Sequence, residues 1–185
     1  MSPLGTAAPR FSLVDARTGQ AVSLTDFSDA PALLVMFICN HCPFVQHVRH
    51  ELAALGRDHA GSGLAIVAIN ANDVASHPED GPAHMKAEAE KHDYRFAYLF
   101  DDSQEVARAY RAACTPDFLF DGGRKLVYRG QLDGSRPGND VPVTGADLRA
   151  AIDAVLAGKR PSTDQKASIG CNIKWRPGNA PDYFG

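Results

Sequence analysis

The sequence predicts an α/β domain built on a central mixed β-sheet flanked by helices, with an N-terminal β-hairpin extension and an irregular C-terminal tail. Three observations carry this. Ala32 to Ile38 and Leu64 to Ile69 are apolar runs without alternation, as in strands buried on both faces. Helical patterns separate these runs and the strand after them, which implies parallel strands joined by crossover helices. Beyond about residue 115 the pattern becomes a hairpin followed by one helix. At 185 residues the chain suits one domain, residues 1–160, with a tail, 161–185, packed on it.

Taken in order, Phe11 and Leu13, then Val22 and Leu24, mark two short strands joined by a turn at Asp15-Ala16-Arg17-Thr18-Gly19. Ala32 to Ile38 is the buried central strand and leads straight into a helix. Val45, Val48, Leu52 and Leu55 form its apolar stripe, and Pro43 sits early, where a missing N–H is tolerated. Leu64 to Ile69 is the second buried strand. Asp80-Gly81-Pro82 opens a mostly polar helix that runs to about His92, and Phe96 to Phe100 is a third strand. Asp102 and Glu105 have capping-box spacing for a short helix ending near Arg111. Phe118-Leu119-Phe120 and Leu126-Val127-Tyr128 flank Asp121-Gly122-Gly123 as an antiparallel hairpin. Thr144 and Asp147 start the last helix, with Leu148, Ile152, Val155 and Leu156 inward, and Pro161 closes it. The tail is rich in Pro, Gly and Asn, yet Ile169 to Trp175 carries the only Trp, so part of it packs.

Composition narrows the function. A net charge of −3 recommends neither a nucleic-acid partner nor an anionic membrane surface. No apolar run is long enough to span a bilayer, and Met1-Ser2-Pro3-Leu4 lacks a secretory signal, so a cytoplasmic location is expected. Four cysteines in a chain of this length are no disulfide scaffold.

The chemistry concentrates at Cys39-Asn40-His41-Cys42, where a buried strand becomes a helix. Unpaired first-turn N–H groups and the helix dipole stabilise a thiolate there, which is expected at Cys39. Cys42, one turn on, is placed to close a disulfide with it. His41, when charged, favours the thiolate further. The same spacing is half of a zinc site, which makes a zinc-binding or structural adaptor the lesser alternative. No second Cys-x-x-Cys or His-x-x-x-His completes that site, so no metal and no organic cofactor is expected. His47 and His50 are read as polar-face helix residues.

These features resemble a thioredoxin-like fold of the redoxin branch, which includes alkyl hydroperoxide reductase/thiol-specific antioxidant (AhpC/TSA) proteins and TlpA/ResA-like reductases. The resemblance covers about Ala8 to Gly158. It rests on Phe11-Ser12-Leu13 through Asp26-Phe27, on Cys39-Asn40-His41-Cys42-Pro43, and on Cys114-Thr115-Pro116-Asp117-Phe118. Ser168 to Trp175 resembles the ending of one subgroup. The resemblance implies that Pro116 is a cis-proline beside the dithiol and that Thr115 and Pro116 bind a substrate strand. It implies a thiol-disulfide oxidoreductase in which Cys39 attacks and Cys42 resolves. Protein or small-molecule disulfides are the implied substrates, with a cellular thiol as reductant. The alternative is a thiol peroxidase, with peroxides as substrates and Cys42 as the peroxidatic cysteine, because Cys42-Pro43 matches the peroxiredoxin Cys-Pro step. Cys39 and Val35 depart from that pattern, standing where peroxiredoxins carry Thr and Pro, and Ile38 replaces the usual thioredoxin Trp.

Cys114 and Cys171 are candidate auxiliary redox cysteines, with Cys171 expected near Cys114 or Cys42 if the tail folds back. Arg136 is a candidate arginine near the thiolate, or else part of a turn. Asn70 and Asn72 are read as strand-terminating turn residues, Asp101-Asp102 as helix caps, and Glu51 and Glu88 as exposed helix positions. No buried acid is identified.

Overall fold

The structure, a computed structural model, describes residues 2–113 and 117–183. Its sheet has seven strands. β1 (Ser12–Asp15) and β2 (Ala21–Ser23) form the opening hairpin; β3 (Ala32–Phe37), β4 (Leu64–Asn70) and β5 (Ala97–Phe100) are the parallel centre; β6 (Asp117–Asp121) and β7 (Leu126–Gly130) are the second hairpin. The spatial order is β2-β1-β5-β4-β3-β6-β7. β3 pairs parallel with β4 and antiparallel with β6, and β1 closes antiparallel on β5. This is the mixed sheet that the apolar runs predict. The opening hairpin differs in one respect: Leu24–Phe27 is a turn of 3-10 helix rather than strand, and the Ser23 N–H donates to Asp26.

Burial explains why β3 is central. All six of its residues are buried, and they alternate between two cores. Ala32, Leu34 and Met36 face α1 (Pro43–Asp58), α2 (Pro82–Lys91) and α4 (Ala146–Leu156). Leu33, Val35 and Phe37 face α3 (Glu105–Ala109), Tyr110 and the tail residue Ile173. Each large apolar side chain so buried contributes about 2 kcal/mol, which holds the carboxyl end of β3 firmly in place. The site begins there.

The helix starts depart from expectation in detail. Asp102 does not cap α3; Gln104 is its N-cap, in the left-handed region (φ 63°), and the buried Asp101 carboxylate accepts the Ala107 N–H. Left-handed Gly145 is the N-cap of α4. Glu51 and Glu88 are not free faces: Glu51 pairs with Arg149 of α4, and Glu88 with Arg49 and His92. Their positions look exposed along one helix but lie between two. Among the described residues, no helix is long and apolar enough to cross a membrane.

Among its described residues the tail has no helix or strand of its own, yet it is tied to the domain. The Gln131 N–H donates to Lys166 O, and Ser168 Oγ to Gly130 O. Further on, the Ile173 N–H donates to Ala113 O and the Asp73 N–H to Lys174 O. Ile173 is buried in the second core, and Trp175 packs against it.

Candidate active site

Cys39 follows the carboxyl end of β3, and Cys42 is the N-cap of α1 with Pro43 at the first helical position. Proline fits there because its missing N–H would have no intrahelical partner. The first helical hydrogen bond runs from the Gln46 N–H to Cys42 O, and the Gln46 side chain donates to Asn40 O. Cys42 is fully buried and Cys39 is 6 % exposed. Cys171 reaches the same place from the tail and is half-buried.

The surroundings favour charge on Cys42. Its pKa falls to about 5, chiefly because the Cys39 thiol donates to it; the Cys171 thiol and the backbone N–H groups of Val45 and Cys171 add to this, against the cost of burial. Cys39 is driven the other way, by giving its S–H to Cys42, by burial and by the nearby Asp80 carboxylate. Cys171 is pushed up to about 11, by desolvation first and then by its hydrogen bond to Cys42. The sequence points to a thiolate at Cys39, whereas these surroundings favour the charge on Cys42. The N-cap is Cys42, so the first-turn amides serve Cys42, whereas Cys39 sits beside a carboxylate.

That carboxylate belongs to Asp80, which ends the 3-10 turn Pro78–Asp80 and is fully buried. Its Oδ1 accepts the Asn40 and His41 N–H groups at 2.8 and 3.2 Å. Its Oδ2 lies 2.5 Å from His41 Nδ1 and accepts from Asn72 Nδ2 at 2.8 Å. Asn70 Nδ2 donates to Asp80 O, and the Asn72 N–H to Asn70 Oδ1. Asn72 Oδ1 in turn accepts the Lys174 N–H of the tail. Asn70 and Asn72 thus do more than end a strand, because they tie the tail through Asp80 to the loop between the cysteines. The Tyr98 hydroxyl completes that loop by donating to Asn40 Oδ1. Cys39, His41 and Asp80 each bring one ligand-type atom within 4.8 Å of the others. Both Asp80 oxygens are already committed to hydrogen bonds, so the carboxylate serves as an anchor.

The other candidates separate. Cys114, Thr115 and Pro116, with the expected cis-proline, lie outside the described residues. His47 Nε2 is 2.7 Å from Ser135 Oγ, and His50 lies edge-on to His92. The Arg136 guanidinium is spent on its own loop, on the backbone of Asp133 and Ser135 and on Gln131 Oε1, so it is a turn residue rather than a partner of the thiolate. Asp80 and Tyr98 were the residues missed. The only sequence signal for Asp80 is an acid in a turn after a parallel strand, where ligand sites of such sheets lie.

A mixed sheet whose central strand delivers a Cys-x-x-Cys pair to a helix N-terminus defines a thioredoxin-like fold. The chain matches the AhpC/TSA family over residues 4–132 and belongs to that family. It is 54% identical to a hypothetical protein from Sinorhizobium meliloti 1021, covering 96% of this chain and 97% of that one with a TM-score of 0.94. An uncharacterized conserved protein from Geobacillus kaustophilus is 52% identical, with 96% and 95% covered and a TM-score of 0.94. The thioredoxin domain of a thiol-disulfide oxidoreductase from Bacteroides vulgatus shares the fold at 21% identity, 70% and 89% covered and TM-score 0.59. No curated protein matches the chain.

Proposed function

We propose that this protein is a thiol-disulfide oxidoreductase in which Cys42 is the attacking thiolate and Cys39 the resolving thiol. The observation that carries this reading is positional: Cys42 is the N-cap of α1, where the unpaired first-turn amides favour a thiolate, whereas Cys39 lies beside the buried Asp80 carboxylate. The Cys42 thiolate attacks one sulfur of a substrate disulfide, forming a mixed disulfide and releasing the other sulfur as a thiolate. Cys39 then attacks Cys42 Sγ, its proton passing to the departing thiolate, and the Cys39–Cys42 disulfide closes. Two equivalents of a cellular thiol return the pair to the dithiol. Protein or small-molecule disulfides are the substrates this chemistry takes, and Thr115 and Pro116 are assigned to hold the substrate strand by family resemblance.

Mixed-disulfide trapping tests the reading. With both neighbouring thiols removed, the Cys39→Ser, Cys171→Ser double variant should accumulate a covalent adduct with oxidised glutathione on Cys42, whereas Cys42→Ser should lose exchange. Wild-type exchange rates in Cys42→Ser would overturn the assignment.

A thiol peroxidase is the second reading. Its support is that Cys42 is fully buried, so a small oxidant has an advantage over a bulky disulfide. Hydrogen peroxide would oxidise the thiolate to a sulfenic acid, and Cys39 would condense with it, releasing water. Stopped-flow thiol loss with stoichiometric peroxide separates the two. Loss no faster than that of a free thiolate supports exchange; loss within milliseconds to seconds at micromolar reactants supports the peroxidase.

A further inference from the structure

Cys42 stands at the centre of three sulfurs, not two. Both Cys39 and Cys171 give it a thiol hydrogen bond. The three differ in access, since Cys42 is fully buried, Cys39 nearly so, and Cys171 half-buried. The strap carrying Cys171 is fixed on both sides. Upstream it is held by Ser168 Oγ on Gly130 O, and downstream by the Ile173 N–H on Ala113 O and the Lys174 N–H on Asn72. Between these anchors Ile169 stays 62 % exposed. The tail therefore presents one thiol both to the reactive sulfur and to solvent.

We propose that Cys171 is the third thiol of the relay, exchanging with the Cys39–Cys42 disulfide to form a Cys42–Cys171 disulfide that the thiol reductant attacks at Cys171. The proposal rests on the dithiol reading above. In the first step the Cys171 thiolate attacks Cys42 Sγ. The Cys42–Cys171 bond forms, the Cys39–Cys42 bond breaks, and Cys39 leaves and takes up the proton that Cys171 gave up. No electrons enter or leave, so this step needs no outside oxidant. Burial is the main cause of the raised Cys171 pKa and remains, but oxidation of Cys42 removes the hydrogen bond and charge that add to it, while Lys174 and the Phe44 N–H still favour the thiolate. In the second step a thiolate of the reductant attacks Cys171 Sγ and expels Cys42. A low-pKa thiol is the better leaving group, so release of Cys42 is the fast direction. A second reductant thiol then clears Cys171, and the reductant leaves as its disulfide.

The test uses the full chain. Reduced protein is oxidised with one equivalent of oxidised glutathione, quenched in acid, blocked with N-ethylmaleimide and mapped by peptide mass spectrometry. Wild type should yield peptides linked Cys39 to Cys42 and peptides linked Cys42 to Cys171. Cys39→Ser, and Cys39→Ala as a check on folding, should form the Cys42–Cys171 bond as the main intramolecular product. Cys171→Ser should still close the Cys39–Cys42 bond but be re-reduced by glutathione roughly tenfold more slowly. A stable glutathione adduct on Cys42 in both Cys39 variants, with Cys171 alkylated, would overturn the relay; so would a Cys42–Cys114 linkage in its place. Failure of wild type to form any disulfide at Cys42 would instead overturn the dithiol reading. A Cys39–Cys42 bond alone, re-reduced equally fast in Cys171→Ser, would overturn only the relay.

Discussion

His41 Nδ1 and Asp80 Oδ2 lie 2.5 Å apart, although 39 residues separate them in the chain. The contact joins the loop after β3 to the turn after β4, two neighbouring parallel strands. It sets the shape of the cysteine loop, because the same carboxylate also takes the Asn40 and His41 amides. A buried carboxylate with this many donors is a positioning group, and removing it leaves several donors without a partner.

Asp80→Asn keeps the shape and loses one acceptor oxygen and the charge. Each buried donor left unpaired costs about 1–3 kcal/mol. For a chain of this size that lowers Tm by roughly 3–10 °C. Cys39 should also ionise more readily, because the Coulombic contribution of Asp80 to its raised pKa is gone. The check is a thermal melt of the reduced protein, with the iodoacetamide rate of Cys39 measured in a Cys42→Ser background. An unchanged Tm and an unchanged alkylation rate would rule out this role for Asp80.

Thiolate absorbance near 240 nm should show one sulfur titrating at about 5 in the reduced protein. That step should vanish in Cys42→Ser. In Cys39→Ala it should move upward, because the Cys39 S–H is the largest contribution to the low value. A step retained in Cys42→Ser and lost in Cys39→Ala would restore the thiolate to Cys39.

The arrangement of strands and helices was legible because it rests on periodicity. Apolar runs without alternation marked β3 and β4, and Pro43 marked the start of α1, which placed the cysteines at a helix N-terminus. The charge division was not legible. It depends chiefly on which thiol donates to the other and on the Asp80 carboxylate beside Cys39, contacts that helix patterns do not reveal. Asp80 was hidden because an acid before Gly81-Pro82 looks the same whether it caps a helix or is buried under another loop. Asn70 and Asn72 read as turn residues for the same reason; their partners are distant in sequence. The anchors of the tail are backbone amides and single side chains such as Ile173, and these leave no period.

Stability of the reduced protein should depend on pH through the cysteines, with opposite signs in two windows. The folded pKa of Cys42 lies below its ordinary value of 9.0, at about 5, so between about 5 and 9 the unfolded chain binds more protons. Stability from Cys42 is then fully present above 9 and is lost as pH falls toward 5. Cys171 is raised from 9.0 to about 11, so its contribution is present below 9 and is lost as pH rises toward 11. Urea melts of reduced protein against Cys42→Ser should show wild type gaining relative stability from pH 5 to 8. A flat difference across that range would contradict the low Cys42 value.

Asn72 is the link through which the tail and the cysteine loop share one hydrogen-bond chain. It is 5 % exposed, donates to Asp80 and accepts from Lys174. Asn72→Ala removes both contacts and leaves the Lys174 amide and one Asp80 lone pair unpaired. The local opening of the strap should then cost less free energy, on the order of 2 kcal/mol less, which raises its open population more than tenfold. Cys171 alkylation, followed residue by residue by mass spectrometry, should accelerate by roughly that factor. Ile173→Ala weakens the same strap through its apolar anchor and should speed Cys171 in the same direction, with the Asp80 contacts to Asn40 and His41 left in place. The two variants differ at the thiolate. Asn72→Ala disturbs the carboxylate beside Cys39, so its alkylation pattern should change at Cys39 as well as Cys171, whereas Ile173→Ala should change Cys171 alone. Equal Cys39 rates in both variants would mean that the tail and the loop are not coupled through Asn72.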